Sequence, residues 1–122
     1  MIHLDTSFLI RALVRGSTAD AMLRTWIIED ESIVMSALAW GEFLCGPLDP
    51  ELAMASSAIV GTPIPLTARH AERGATIFNQ TGRKRGTFAD CLIAAVAIVE
   101  GGSLATGNRR DFESIPGLML AT

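Results

Sequence analysis

Short apolar runs alternate with longer stretches in which apolar residues recur every three or four positions. The short runs, at residues 1–4, 32–35, 103–106 and 118–120, predict buried strands. Residues 61–66 contain Pro63 and Pro65, which favour an edge strand. The alternation of strands and helices predicts an α/β fold with a central parallel sheet of about four to five short strands, flanked by helices on both faces.

The longer stretches predict helices with an apolar face. We place them at residues 8–14, 19–29, 37–45, 49–60, 67–81 and 91–99, and we predict a loop over residues 107–112. Asp5 and Ser36 precede two of these helices, where a side-chain oxygen can cap the first turn. Gly16, Gly46 and Gly101 follow three of them, as is typical of helix ends.

The composition is that of one globular domain over residues 1–122. The chain is 49% hydrophobic, and a chain of this length usually forms one core. No apolar run reaches the ~18 residues of a membrane span. A first strand at Met1 leaves no room for a signal peptide, so we expect a cytoplasmic protein. Cys45 and Cys91 are interpreted as small buried residues that stay reduced.

Four of the thirteen acidic residues differ from the others in their position. Asp5 and Asp111 follow predicted strands, at the edge where ligands of parallel sheets bind. Glu42 stands alone in an apolar helix after the second strand, and Asp90 lies in the first turn of the most apolar helix. A buried, unpaired carboxylate is costly, so Glu42 and Asp90 call for an explanation.

Each acid also has a purely structural interpretation. Asp5 could be only an N-cap, and Asp90 stands three residues after Thr87, the spacing of a capping box. Glu42 could reach the surface past Gly41 or pair with an Arg, and Asp111 could be an ordinary loop residue. Taken together, the four positions instead favour one cluster at the carboxyl edge of the sheet.

Clustered carboxylates repel one another unless a cation is present. Mg²⁺ and Mn²⁺ prefer such oxygen ligands, and a bound ion can activate water and polarise a phosphodiester. Four hydroxyls at predicted strand ends could orient the metal ligands: Thr6, Ser7, Ser36 and Thr106. For Ser36, capping a helix is an equally good role. His3 and His70 lack a histidine partner at metal-binding spacing, and neither is interpreted as a catalytic base.

The ordered set Asp5-Thr6-Ser7, Glu42, Thr87-Phe88-Ala89-Asp90 and Thr106-Gly107-Asn108-Arg109-Arg110-Asp111-Phe112 resembles the PIN domain, most closely the VapC-type toxins of toxin–antitoxin pairs. The resemblance implies an α/β/α sandwich and a Mg²⁺- or Mn²⁺-dependent endoribonuclease. Asp5, Glu42, Asp90 and Asp111 would then be the catalytic metal ligands. It also implies a homodimer, a cognate antitoxin and toxin–antitoxin hetero-oligomers, with no membrane partner.

One position departs from this pattern. Many relatives carry a further Asp where this chain has Asn108, a neutral and weaker ligand, which places a second metal ion in doubt. The net charge of −3 counts against a nucleic-acid partner unless cations neutralise the acids. The candidates for a basic RNA-binding rim are Arg83, Lys84, Arg85, Arg109 and Arg110, whereas Arg11 and Arg15 are interpreted as solvated surface residues.

Two other functions compete with the nuclease. A phospho-accepting receiver domain would need an acidic pair after the first strand and a Lys after the last, and both are missing. A catalytically impaired PIN-like module that binds RNA or protein is left open by Asn108.

Overall fold

Four parallel strands form the centre of the molecule, as the sequence predicts. The structure is a computed structural model that describes residues 1–82 and 87–121. The strands are β1 (Ile2–Leu4), β2 (Ile33–Val34), β3 (Ser103–Ala105) and β4 (Met119–Leu120). Their order in the sheet is β2-β1-β3-β4, and every pair is parallel. The crossovers therefore place β1 and β3 side by side at the centre, although about a hundred residues separate them.

Seven helices connect and flank the strands in the part of the chain that the structure describes. They are α1 (Thr6–Ala12), α2 (Thr18–Ile28), α3 (Ala37–Leu44), α4 (Pro50–Val60), α5 (Ala68–Gln80), α6 (Phe88–Glu100) and α7 (Arg109–Phe112). This arrangement is the predicted PIN-like α/β/α sandwich.

The core lies between the sheet and α6, whose alanine-rich sequence lets it pack closely on its neighbours. Its residues 93–97 are all buried. Helix α5 is polar except for a stripe that includes His70, Gly74 and Ile77. A Cβ on Gly74 would lie 2.7 Å from Cδ2 of Leu92, so this glycine permits the close approach of α5 to α6.

Strand pairing sets the position of the residues that follow β1 and β3. Leu4 pairs with Ala105, and the N–H of Asp5 donates to the carbonyl oxygen of Ala105 at 3.0 Å. Asp5 and Thr106 are therefore neighbours at the carboxyl edge of the sheet. In open α/β sheets this edge is where ligands bind.

Three predictions made from the sequence are wrong. Residues 107–112 were predicted as a loop, but Arg109–Phe112 form the short helix α7. The edge strand predicted at residues 61–66 is reduced to a single parallel bridge between Ser36 and Ile64, because Pro63 and Pro65 provide no N–H donors for a ladder. Cys45 is exposed at the end of α3, whereas Cys91 is buried as expected.

No helix within residues 1–82 and 87–121 is long and apolar enough to cross a membrane.

Candidate active site

Asp5 lies at the bottom of the site and is the most buried of the four acids. Its side chain accepts a hydrogen bond from the N–H of Phe8 at 2.8 Å, so it caps α1. The hydroxyls of Ser7 and Thr106 also donate to it, at 2.8 and 2.5 Å. Helix capping and a role in the site are therefore compatible, because Asp5 has two oxygens and only one of them caps the helix.

The same two hydroxyls bind the loop that follows β3. The N–H of Gly107 donates to Ser7 Oγ at 2.9 Å, and the N–H of Asn108 donates to Thr106 Oγ1 at 2.9 Å. Each hydroxyl thus accepts from the loop and donates to Asp5. These bonds fix the Asp5 carboxylate relative to the start of α7.

Glu42 reaches the site from α3. The Thr6 hydroxyl lies 3.0 Å from the carbonyl oxygen of Ala39 and 3.1 Å from Oε1 of Glu42. Thr6 therefore connects α1 to α3 next to the carboxylate. Glu42 is exposed, so its isolation in an apolar helix does not reflect burial.

Asp90 lies half-buried in the first turn of α6. Thr87 occupies the N-cap position but makes no side-chain capping bond to the helix, so the capping-box interpretation fails. The pKa of Asp90 is raised to about 6, mainly by desolvation on burial and then by the charges of Asp111, Glu42 and Asp5, in that order. The negative charges of the other three acids therefore all act on the carboxyl group of Asp90.

Two clefts share Asp90. The main cleft has a volume of about 290 Å³ and is lined by Asp5, Thr6, Ser7, Ile10, Glu42, Asp90, Ile93, Asn108 and Phe112. The neighbouring cleft, of about 260 Å³, contains Asp90 and Asp111 together with Arg110. The structure thus brings three of the acids to one cleft and leaves Asp111, which is exposed, facing the other.

The remaining predicted site residues have different surroundings. Ser36 is buried and its Oγ accepts from the N–H of Ala39 at 3.1 Å, so it caps α3. Arg109 lies 3.9 Å from Glu113 on the surface of α7, and Arg110 lines the second cleft. Residues 83–85, the basic run predicted to contact RNA, lie outside the described residues.

The donor set has the chemistry that a hard divalent cation prefers, since it consists of carboxylates and the amide of Asn108. Among the described residues, however, no three His, Cys, Asp or Glu side chains are placed to hold one ion together. Mg²⁺ keeps several waters and often takes only one or two carboxylates. The residues therefore fit a largely hydrated ion better than one enclosed by protein ligands.

Sequence reasoning missed the apolar walls of the main cleft, which are formed by Ile10, Ile93 and Phe112. Phe112 follows Asp111 directly and is buried, so it anchors α7 against the core. Ile93 stands one helical turn after Asp90 on the same face of α6, a spacing that could have identified it. No comparable signal exists for Ile10, because its position depends on how α1 packs.

A family model for the PIN domain matches residues 2–118 of this chain, and no curated protein sequence is detectably similar to it. Two solved structures resemble it with a TM-score of 0.77 and 23% identity, and 98% of this chain is covered in both. One is VapBC2 from Rickettsia felis bound to a DNA fragment from their promoter, covered over 97% of its length. The other is a toxin–antitoxin complex from Klebsiella pneumoniae, covered over 96%.

A third structure is similar at a lower level. It is VapC20 from Mycobacterium tuberculosis, a Sarcin-Ricin loop cleaving toxin, with a TM-score of 0.65 and 16% identity. The match covers 97% of this chain and 98% of that one. At these identities the three likenesses establish a common fold, and together with the family model they lead to one conclusion: the chain belongs to the PIN-domain family.

Proposed function

We propose that this protein is a metal-dependent endoribonuclease, the toxin of a VapC-type toxin–antitoxin pair. The observation that carries the proposal is that Asp5, Glu42 and Asp90 line one cleft at the carboxyl edge of a PIN-type sheet. Burial there and the charges of Asp111, Glu42 and Asp5 raise the pKa of Asp90. The cleft carries excess negative charge and also offers hydroxyl and amide groups, which suits the binding of a cation. A bound cation can in turn bind a phosphodiester. The RNA-cleaving toxin with the same fold supports RNA as the substrate.

In this proposal Asp5, Glu42, Asp90 and Asp111 hold Mg²⁺ or Mn²⁺, one or two of them directly and the others through water. Such an ion, when bound, polarises the phosphodiester and lowers the pKa of a water molecule that attacks phosphorus. Asn108 can supply at most a neutral amide oxygen, which is a weaker ligand than a carboxylate. The proposal therefore involves a single ion.

Hydrogen bonds decide which oxygen of Asp5 would be available to a cation. Oδ1 accepts from Ser7 and from the N–H of Phe8, which uses its roughly two lone pairs. Oδ2 accepts from Thr106 alone among the described residues. Oδ2 therefore retains one lone pair, and we assign the ligand role to it.

Thr6, Ser7 and Thr106 act in this scheme by orienting acids rather than by touching the substrate. Such outer partners fix ligand direction and affinity. In this scheme Ser36 acts only as the N-cap of α3. The described part of the chain offers no base in the main cleft other than its carboxylates, so we assign proton acceptance from the attacking water to one of them.

The proposed partner is a cognate antitoxin, as in the toxin–antitoxin complexes of the same fold. An apolar groove of about 320 Å³ lies next to the main cleft and shares Ile10 with it. Ile10, Val14 and Leu52 are exposed there. A homodimer and a toxin–antitoxin hetero-oligomer belong to the same proposal, and RNA as substrate implies action in the cytoplasm.

The proposal is tested by incubating the purified, antitoxin-free protein with total RNA, with Mn²⁺, with Mg²⁺ or with EDTA. We expect discrete cleavage products with either ion and none with EDTA. Absence of cleavage under all three conditions, with RNA binding retained, would favour the alternative, a catalytically impaired RNA-binding module.

A further inference from the structure

A further cleft adjoins the loop after β3. It has a volume of about 420 Å³, and Thr106 and Gly107 form one end of it. Asn108, the next residue, lines the main cleft. The two clefts therefore adjoin at the loop whose backbone is bonded to Ser7 and Thr106.

Arg11 packs directly against this loop. A Cβ added to Gly107 would lie 2.9 Å from Nε and 3.0 Å from Cζ of Arg11. Gly107 thus permits the guanidinium to lie on the loop backbone, where a larger residue would displace it. The packing gives a long and normally mobile side chain a defined place beside the candidate active site.

The charge of Arg11 is not balanced by a neighbouring acid. Arg11 is exposed, and no carboxylate within residues 1–82 and 87–121 forms a salt bridge with it. The rest of the cleft is partly apolar, with Val14 and Met22 in its wall, and Ser17 and Thr18 add hydroxyls. An unpaired, positioned cation beside an apolar wall is a combination that suits a nucleotide: phosphate on the guanidinium and base on the wall.

We propose that this cleft is a subsite for the nucleotide of the substrate RNA adjoining the cleaved bond, and that Arg11 binds its phosphate. This inference rests on the proposed ribonuclease function. The cleft volume lies within the ~300–1,000 Å³ typical of ligand sites. Because consecutive residues of one loop line the two clefts, one strand could occupy both, with the scissile phosphate at the carboxylates and the next phosphate at Arg11.

The test measures binding rather than cleavage, in EDTA, with a fluorescently labelled single-stranded RNA dodecamer and a salt titration. Loss of one phosphate contact lowers the slope of log K against log salt by about 0.7 for single strands. We expect Arg11→Gln to weaken binding about tenfold and to lower the slope by about that amount. Arg11→Lys should keep the slope, since it keeps the charge.

Arg15→Gln is the matched control, because Arg15 is also exposed, lies four positions further along the chain in the turn after α1 and is absent from the lining of this cleft. Its RNA affinity should stay within about twofold of wild type. Unchanged binding by Arg11→Gln, or equal weakening by Arg15→Gln, would overturn the subsite. If wild type cleaves RNA in Mn²⁺ while Arg11→Gln binds normally, only the subsite fails; a wild type that neither binds nor cleaves RNA contradicts the ribonuclease function as well.

Discussion

Thr106 Oγ1 donates a hydrogen bond of 2.5 Å to Oδ2 of Asp5, across 101 positions of sequence. The bond follows from the pairing of Leu4 with Ala105, which makes the next residue of each strand a neighbour of the other. The hydrogen bond orients Asp5 Oδ2, the oxygen that we propose as the cation ligand. The orientation of the central acid therefore depends on a residue of a different strand.

Thr106→Val keeps the shape of the side chain and removes this donor. We expect RNA cleavage and apparent Mn²⁺ affinity to fall about 10–100-fold, as is usual when a partner of a metal ligand is lost. Cleavage rates over a Mn²⁺ titration measure both. Thr25→Val is the control, because the Thr25 hydroxyl donates to the Ala21 carbonyl oxygen on the exposed face of α2. Equal activity of Thr106→Val and wild type at limiting Mn²⁺ would contradict the role of this bond.

Asp5→Asn and Asp90→Asn should each abolish cleavage without unfolding the protein. Asn is as good an N-cap as Asp, so Asp5→Asn keeps the bond that starts α1. Asp49→Asn makes the same change at the exposed N-cap of α4 and should retain full activity. The readouts are cleavage of total RNA and circular dichroism. Cleavage at the wild-type rate by both site variants would remove the carboxylates from the mechanism.

The pKa of Asp90 also makes a prediction about stability without metal. Because the folded protein raises this pKa from 3.8 to about 6, it holds the proton more tightly than the unfolded chain does. Stability is therefore lost as the pH rises from about 4 to 6, and the loss persists at neutral pH. In EDTA, Asp90→Asn should unfold a few degrees above wild type at pH 7.5 and near wild type at pH 4.5. A variant that melts below wild type at pH 7.5 would show that burial and the neighbouring acids do not destabilise the charged form of Asp90.

His3 predicts the opposite dependence. It is buried in β1, and neither ring nitrogen has a hydrogen-bond partner among the described residues. Its pKa is lowered from 6.5 to about 4, mainly by burial and then by the charge of the N-terminus and, less strongly, of His70, while Glu100 opposes the shift. The unfolded chain thus takes up the proton first, and stability is lost as the pH falls from 6.5 towards 4.

His3→Leu removes this group, and the wild type and the variant are compared by urea unfolding at pH 7.5 and 5. We expect the wild type to lose up to about 2 kcal/mol more than the variant between these two pH values. Because Asp90 is present in both proteins, its contribution cancels in the comparison. An identical loss in the two proteins would mean that His3 does not titrate as its burial implies.

The sequence predicted the sheet and the edge at which the acids gather, because short apolar runs and parallel pairing follow from local pattern and topology. Asp5 and Thr106 could be placed together on that basis. The exposure of Glu42 could not be predicted, because an apolar helix can present one side to solvent without any change in its sequence pattern. Helix α7 was missed because four residues carry too little periodicity to distinguish a helical turn from a loop.

Arg11 illustrates a second limit. Nothing in its local sequence distinguishes it from Arg15, and both were interpreted as solvated. The difference is the contact of Arg11 with Gly107, which depends on the register of β1 against β3 and on the absence of a Cβ at position 107. Tertiary packing of this kind has no local signature.

The most direct test of the central claim is the chemistry of the cut ends. Wild-type protein with Mn²⁺ should leave a 5′-phosphate and a 3′-hydroxyl on the two fragments, as results when water attacks phosphorus and the 3′-oxygen departs with a proton, and Asp5→Asn should leave no cut. A 2′,3′-cyclic phosphate, or cleavage that persists in EDTA, would contradict metal-activated hydrolysis at these carboxylates.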